Sequence, residues 1–149
     1  MYKHILVPTD GSRLAAKGVR AAVKLAKSLG ARVTGVYVAT PFRPQLYSEG
    51  SAYLASAPSP KDYKALTDRE AKKALSVIGR AARAAGIAFG ERIVTDAQPW
   101  KGILGVAHAA RCDLIVMGSH GRSALGGLML GSETVRVLAR SKIPVLVAR

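Results

Sequence analysis

Glycines at 118, 121 and 131, with serine at 132, punctuate the stretch GSHGRSALGGLMLGSET, which follows an apolar run and leads into a helix-like segment. Glycine tolerates positive φ and lets backbone approach a ligand closely. Successive exposed amides form a concavity that attracts anions. Where Gly131-Ser132 opens a helix, free N–H groups and the helix dipole favour phosphate. Ser132 is an N-cap residue type whose hydroxyl can also donate, and Arg122 can add a charge-assisted contact. These residues suit the holding of a phosphorylated ligand. The plain alternative is a tight strand-to-helix connection.

Other phosphate motifs fail on inspection. Gly126 and Gly131 have the interval of a P-loop, but Ser132 stands where its lysine belongs. No GxGxxG follows the first strand, so the dinucleotide fingerprint is absent. GSHG has the form of a KH-domain GxxG loop, but it follows a strand instead of joining two helices. Hydrolysis of a bound phosphate ester or anhydride needs an aligned water, a base and a metal. Asp10, His120 and Glu133 are the candidates, and none belongs to a spacing that marks catalysis. His120 suits a turn cap or a solvent-facing position. Asp10 suits a cap on the first helix or a ligand contact, with metal binding the lesser use. Glu133 suits charge complementation at a helix N-terminus, with a metal contact second. His4 and His108 fall in strand and helix patterns, where packing is their expected use. Binding without rapid turnover is the expectation, with slow hydrolysis left open.

Five strand-length apolar runs and four helical patterns must position these residues. The strands are expected at 4–9, 32–39, 91–96, 113–119 and 143–148, and several are nearly continuous apolar runs that suit strands covered on both faces. The helices are expected at 13–29, 61–85, 99–111 and 132–141. In the second, Tyr63, Leu66, Ala74, Ile78, Ala81 and Ala85 form one apolar side. This alternation predicts an α/β fold, an open doubly wound parallel sheet with helices on both faces. Ligands bind such sheets outside the carboxyl ends of strands, where neighbouring connections diverge. The order 3-2-1-4-5 brings PTDGS (8–12) and the glycine loop to one edge. The proline- and serine-rich stretch at about 40–60 fits neither pattern and reads as an irregular insert: a lid, a dimer contact or a mobile segment.

The 149 residues suit one domain, and 49% apolar composition is globular. No apolar run approaches the roughly 18 residues of a membrane span, and the start MYKHILVPTDGS lacks the pattern of a signal peptide. The lone Cys112 cannot form an intramolecular disulfide, so a reducing, cytoplasmic setting is expected and the thiol reads as a small buried residue beside a strand. The formal charge of +14 attracts polyanions. Lys17, Arg20, Lys24 and Lys27 share one helix face, and Lys64, Arg69, Lys72, Lys73, Arg80 and Arg83 decorate another. Cations interleaved with alanine usually form a solvated face, so nucleic acid is the lesser expectation.

The pattern G-x2-G-x9-G-[ST], met by Gly118, Gly121, Gly131 and Ser132, resembles the nucleotide-binding signature of the universal stress protein family. HILVPTDGS and IPVLVAR resemble that family's first and last strands. With the element order, the resemblance spans nearly the whole chain, as one domain over 1–149. It implies a five-stranded, Rossmann-like doubly wound sheet and a site for ATP, with Mg²⁺ accompanying it. Pro8, Thr9 and Asp10 would border adenine and ribose, with Val38 against the base. Met117 and Gly118 would line the nucleoside. Gly121, Arg122, Gly131, Ser132 and the backbone of Glu133 and Thr134 would hold the phosphates. It also implies a homodimer through antiparallel pairing of 143–148, which would hide an exposed edge. The function implied is a stress-response or signalling module governed by nucleotide occupancy. A slow ATPase or phosphotransferase and a basic polyanion-binding protein are the alternatives.

Overall fold

The computed structural model describes residues 1–43, 58–119 and 130–149. Strands β1 (His4–Pro8), β2 (Arg32–Ala39), β3 (Phe89–Thr95), β4 (Leu114–Gly118) and β5 (Val145–Ala148) alternate with helices α1 (Ala15–Leu29), α2 (Pro60–Ala84), α3 (Pro99–Ala109) and α4 (Ser132–Arg140). All four strand pairings are parallel, and the order is β3-β2-β1-β4-β5, as the alternation predicts. Among the described residues, no helix is long and apolar enough to cross a membrane.

Side chains alternate across each strand, and the central strands are covered on both faces. On one side Ile5, Val7, Val33 and Val116 meet Val19 and Ala22 of α1 and Leu75 and Ile78 of α2. On the other, Leu6, Val36, Ile115 and Met117 meet Ile103, Val106 and Ala107 of α3 and Val137 of α4. The helices therefore form two layers, α1 with α2 and α3 with α4.

Several boundaries differ from expectation. β3 begins at Phe89 because Phe89 and Gly90 pair with Val33 and Thr34 of β2, a pairing with no signature in local composition. α2 is capped by Ser59, whose hydroxyl accepts from the Asp62 amide at 3.1 Å, with Pro60 in its first turn. Its buried stripe runs from Ala71 to Ala82, and Leu66 is 53% exposed instead of packed. At 25 residues, α2 is about 37 Å long. It outruns the sheet, so its first turns extend past the core. His108 is exposed on the last turn of α3, because Ile103, Val106 and Ala107 define that helix's inward stripe; the packing reading fails there.

At the amino ends of the strands, Asp113 accepts the amides of Lys3 at 2.7 Å and His4 at 3.0 Å. Burial raises its carboxyl pKa, but the His4 and Lys3 amides together hold it below the usual value. His4 is buried, as expected, with Nε2 2.8 Å from Thr34 Oγ1. Burial, helped by the Arg32 charge, pushes the His4 pKa down against the Ala110 carbonyl and Asp113. Cys112 is buried beside β4, and burial with the Asp113 charge pushes its thiol up to about 11.

Candidate functional site

A cleft of about 790 Å³ opens at the carboxyl ends of the strands. β1 and β4 are neighbours whose following connections lead to opposite layers, and the divergence leaves a crevice. Pro8, Thr9 and Asp10 leave β1 on one side of it, Val38 ends β2, and Met117 and Gly118 end β4. Gly131, Ser132, Glu133 and Thr134 bring the start of α4 to the same cleft. Ten of the twelve sequence-selected positions are thus together. The other two, Gly121 and Arg122, lie outside the described residues, as does His120 and the 44–57 part of the insert.

Local hydrogen bonds fix both rims. Asp10 Oδ1 accepts the Ser12 amide at 2.9 Å, and Ser12 Oγ accepts the Ala15 amide at 3.1 Å. Asp10 therefore shapes the turn before α1 and does not cap the helix itself; Ser12 lies closer to the amide that needs an acceptor. The Thr9 amide donates to the Val36 carbonyl at 3.0 Å, tying this turn to β2. Opposite, the Gly131 amide donates to the Ser119 carbonyl at 2.7 Å. Thr134 is buried, and its hydroxyl donates to the Gly118 carbonyl at 3.2 Å. These two bonds set the start of α4 against the end of β4.

Ser132 is not the N-cap. Gly131 holds that position, Ser132 is the first helical residue, and among the described residues no side chain caps the first-turn amides of α4. The amide face of that turn is directed at the cleft rim with the positive end of the helix dipole. The Glu133 carboxylate is engaged within the chain. Its Oε2 accepts the Trp100 amide at 2.8 Å, and its Oε1 accepts from Arg136 at 2.7 Å. Trp100 is in the first turn of α3, so the carboxylate complements a helix N-terminus as expected, but chiefly that of a different helix. Among the described residues no group of three His, Cys, Asp or Glu could hold a metal ion.

Glycine serves other ends here than positive φ. Gly131 has φ −58° and ψ 146°, which any residue adopts, and Gly118 has no positive φ. At Gly118 the group that comes close is α1. A Cβ there would lie 2.7 Å from the Leu14 carbonyl oxygen and 3.2 Å from Ala15 Cα. Gly18 of α1 faces back, and its Cβ would lie 2.5 Å from the Gly118 nitrogen. The first glycine of the motif is required by a helix pressed onto β4.

Sequence reasoning missed the wall supplied by α2. Tyr63, Leu66, Thr67 and Glu70 line the cleft from the turns that outrun the sheet. The Tyr63 hydroxyl donates to the Thr40 carbonyl at 3.0 Å, and the Tyr37 hydroxyl donates to Glu70 Oε2 at 3.5 Å. Pro99 and Ile103 of α3 complete the apolar side near Val38. The signal was the length of α2 compared with the strands, not any residue motif.

The sequence pattern of the universal stress protein family matches residues 1–149. This chain belongs to that family. A universal stress protein of Methanocaldococcus jannaschii is 32% identical over 151 residues, covering 100% of this chain and 83% of the relative. The crystal structure of a family member from Burkholderia pseudomallei superposes with a TM-score of 0.76 at 26% identity, covering 98% of this chain and 95% of that one. A universal stress protein in complex with cAMP superposes with a TM-score of 0.65 at 26% identity, over 99% and 97% of the two chains.

Proposed function

We propose that this universal stress protein binds an adenine nucleotide in the cleft and acts as a stress-response or signalling module whose state follows occupancy. The first turn of α4 at the cleft rim, uncapped among the described residues, carries the reading, because such amides form a prepared anion site. The base lies against Val38, Pro99 and Ile103, and the ribose beside Thr9 and Asp10. The phosphates meet the Ser132 hydroxyl and the amides of Ser132, Glu133 and Thr134. Similarity to a family member in complex with cAMP supports adenine as the base. ATP is the preferred ligand in this reading, and Mg²⁺ arrives on its phosphate oxygens, since Glu133 is engaged by Trp100 and Arg136. A cytoplasmic setting accompanies it, from the lone Cys112.

The same reading includes a homodimer through β5. This strand lies at the sheet edge, and exposed Leu146 adjoins a layer in which Val135 and Leu138 of α4 are also exposed.

Calorimetric titration of nucleotide-stripped protein with ATP and Mg²⁺, then with cAMP, tests the binding. Micromolar affinity (about 8 kcal/mol) lost in a folded Gly131→Trp variant is expected. A folded, empty wild-type protein that binds neither ligand overturns the proposal.

A further inference from the structure

The layer formed by α1 and α2 carries a surface that nucleotide binding does not use. Lys17, Arg20, Lys24 and Lys27 of α1 are all exposed and fall within an arc of about 80°, opposite the buried stripe. Arg69, Lys72, Lys73, Arg80 and Arg83 of α2 are exposed within an arc of about 100°. α1 contains no acidic residue, and the acidic residues of α2 (Asp62, Asp68 and Glu70) all precede Lys72, so that of the five α2 cations only Arg69 lies among them. Asp62 is held by Ser59, Asp68 by Lys64, and Glu70 by Tyr37. None of the nine cations pairs with a carboxylate among the described residues. The opposite layer is sparser, with Lys101 on α3 and Arg136 and Arg140 on α4, and there Arg136 is paired with Glu133.

We propose that this face binds the phosphate backbone of duplex DNA, without reading its sequence. Helices α1 and α2 are in contact, and side-by-side helices pack about 8–10 Å apart, so both cation rows fall within reach of phosphates flanking a groove about 12 Å wide. The face carries no aromatic side chain, so it offers no stacking platform for single strands. Among the described residues, Val77 and the cleft-lining Leu66 are the large apolar side chains exposed on α2, too little to enter a lipid surface. Fixed cations without stacking or insertion groups suit a rigid, densely charged duplex.

Fluorescence anisotropy with a labelled 20-bp DNA duplex tests this. Six phosphate contacts give a slope of about −5 in log K against log salt, a loss of about 1,000-fold between 50 and 200 mM salt. The variant K17Q/R20Q/K24Q/K27Q is expected to flatten the slope by about 3–4. The control K101Q/R92Q/K142Q/R149Q removes the same charge elsewhere and is expected to leave most of the slope in place. Circular dichroism and thermal melting confirm that both variants fold. Equal losses in the two variants would reduce the effect to net charge and overturn the proposal. So would undetectable duplex binding at 50 mM salt, tighter binding to a single-stranded 20-mer, or preferential binding to phosphatidylserine vesicles.

Discussion

Replacing Gly118 with alanine is expected to destabilise the protein before any ligand is considered. The added Cβ would lie 2.7 Å from the Leu14 carbonyl oxygen and 3.2 Å from Ala15 Cα. Both are backbone atoms, so no side chain can rotate away. Helix α1 must retreat by roughly 0.5 Å, a gap at which its contacts begin to forfeit a quarter or more of their attraction. Val19, Ala22 and Ala26 are the buried residues that lose contact. Overpacking of this kind costs about 2–3 kcal/mol, a fall in Tm of about 4–12 °C for a chain of this size. Gly18→Ala should cost a similar amount, because its Cβ would lie 2.5 Å from the Gly118 nitrogen. One outward shift of α1 relieves both clashes. The double variant should therefore lose about 1–2 kcal/mol less than the sum of the singles. Gly105→Ala is the control: its Cβ would meet nothing within 4 Å on α3, and alanine should stabilise that helix by up to about 1 kcal/mol. Thermal and urea unfolding of the ligand-free proteins measure all four. A Gly118→Ala cost under about 0.5 kcal/mol, or strict additivity with Gly18→Ala, would refute the close-packing account.

Stability should also respond to acid through His4. Its native pKa is lowered, so the unfolded chain takes up a proton below about pH 6.5 while the native chain stays neutral. Stability therefore falls as pH drops below 6.5, until the native His4 itself protonates. Asp113, with its native pKa lowered from 3.8, adds a loss only below that pH. His4→Leu with Thr34→Val removes both hydrogen-bonding partners and should flatten urea stability between pH 6.5 and 5; an unchanged slope assigns it elsewhere. Glu133→Ala strips the acceptor from the Trp100 amide and should cost about 1 kcal/mol in thermal unfolding. No change in Tm would show that water replaces the carboxylate fully. Cys112, buried and with its thiol pushed up to about 11, should resist an aromatic disulfide reagent at pH 8 until urea unfolds the chain; rapid labelling of the native protein would contradict that burial.

Much of the architecture was legible because it is periodic. Continuous apolar runs marked the buried strands, and their alternation with helical patterns marked a parallel sheet covered on both faces. What escaped was nonlocal. Phe89 joins β3 through its pairing with Val33, which no window around Phe89 reveals. Leu66 looked like core by its spacing, but the helix carries it past the end of the sheet. The residues brought to the cleft were readable, since parallel order sends the ends of β1 and β4 to one edge. Their reasons were less so. Gly118 answers to Leu14, and Glu133 answers to Trp100, 33 residues away. A glycine motif records that a side chain is unwelcome without recording which neighbour excludes it.

Glu133 has one more effect, on how an anion is oriented. α3 and α4 begin beside the same cleft, and each helix start is a centre of positive potential. The chain supplies a carboxylate to the start of α3, and although Glu133 sits in the first turn of α4, its oxygens turn to the Trp100 amide and to Arg136. A molecule with a single anionic end therefore meets one attractive pole instead of two competing ones. Its direction in the cleft is chosen by the neutralised helix as much as by the open one, and charge reversal at 133 would offer it two ways in.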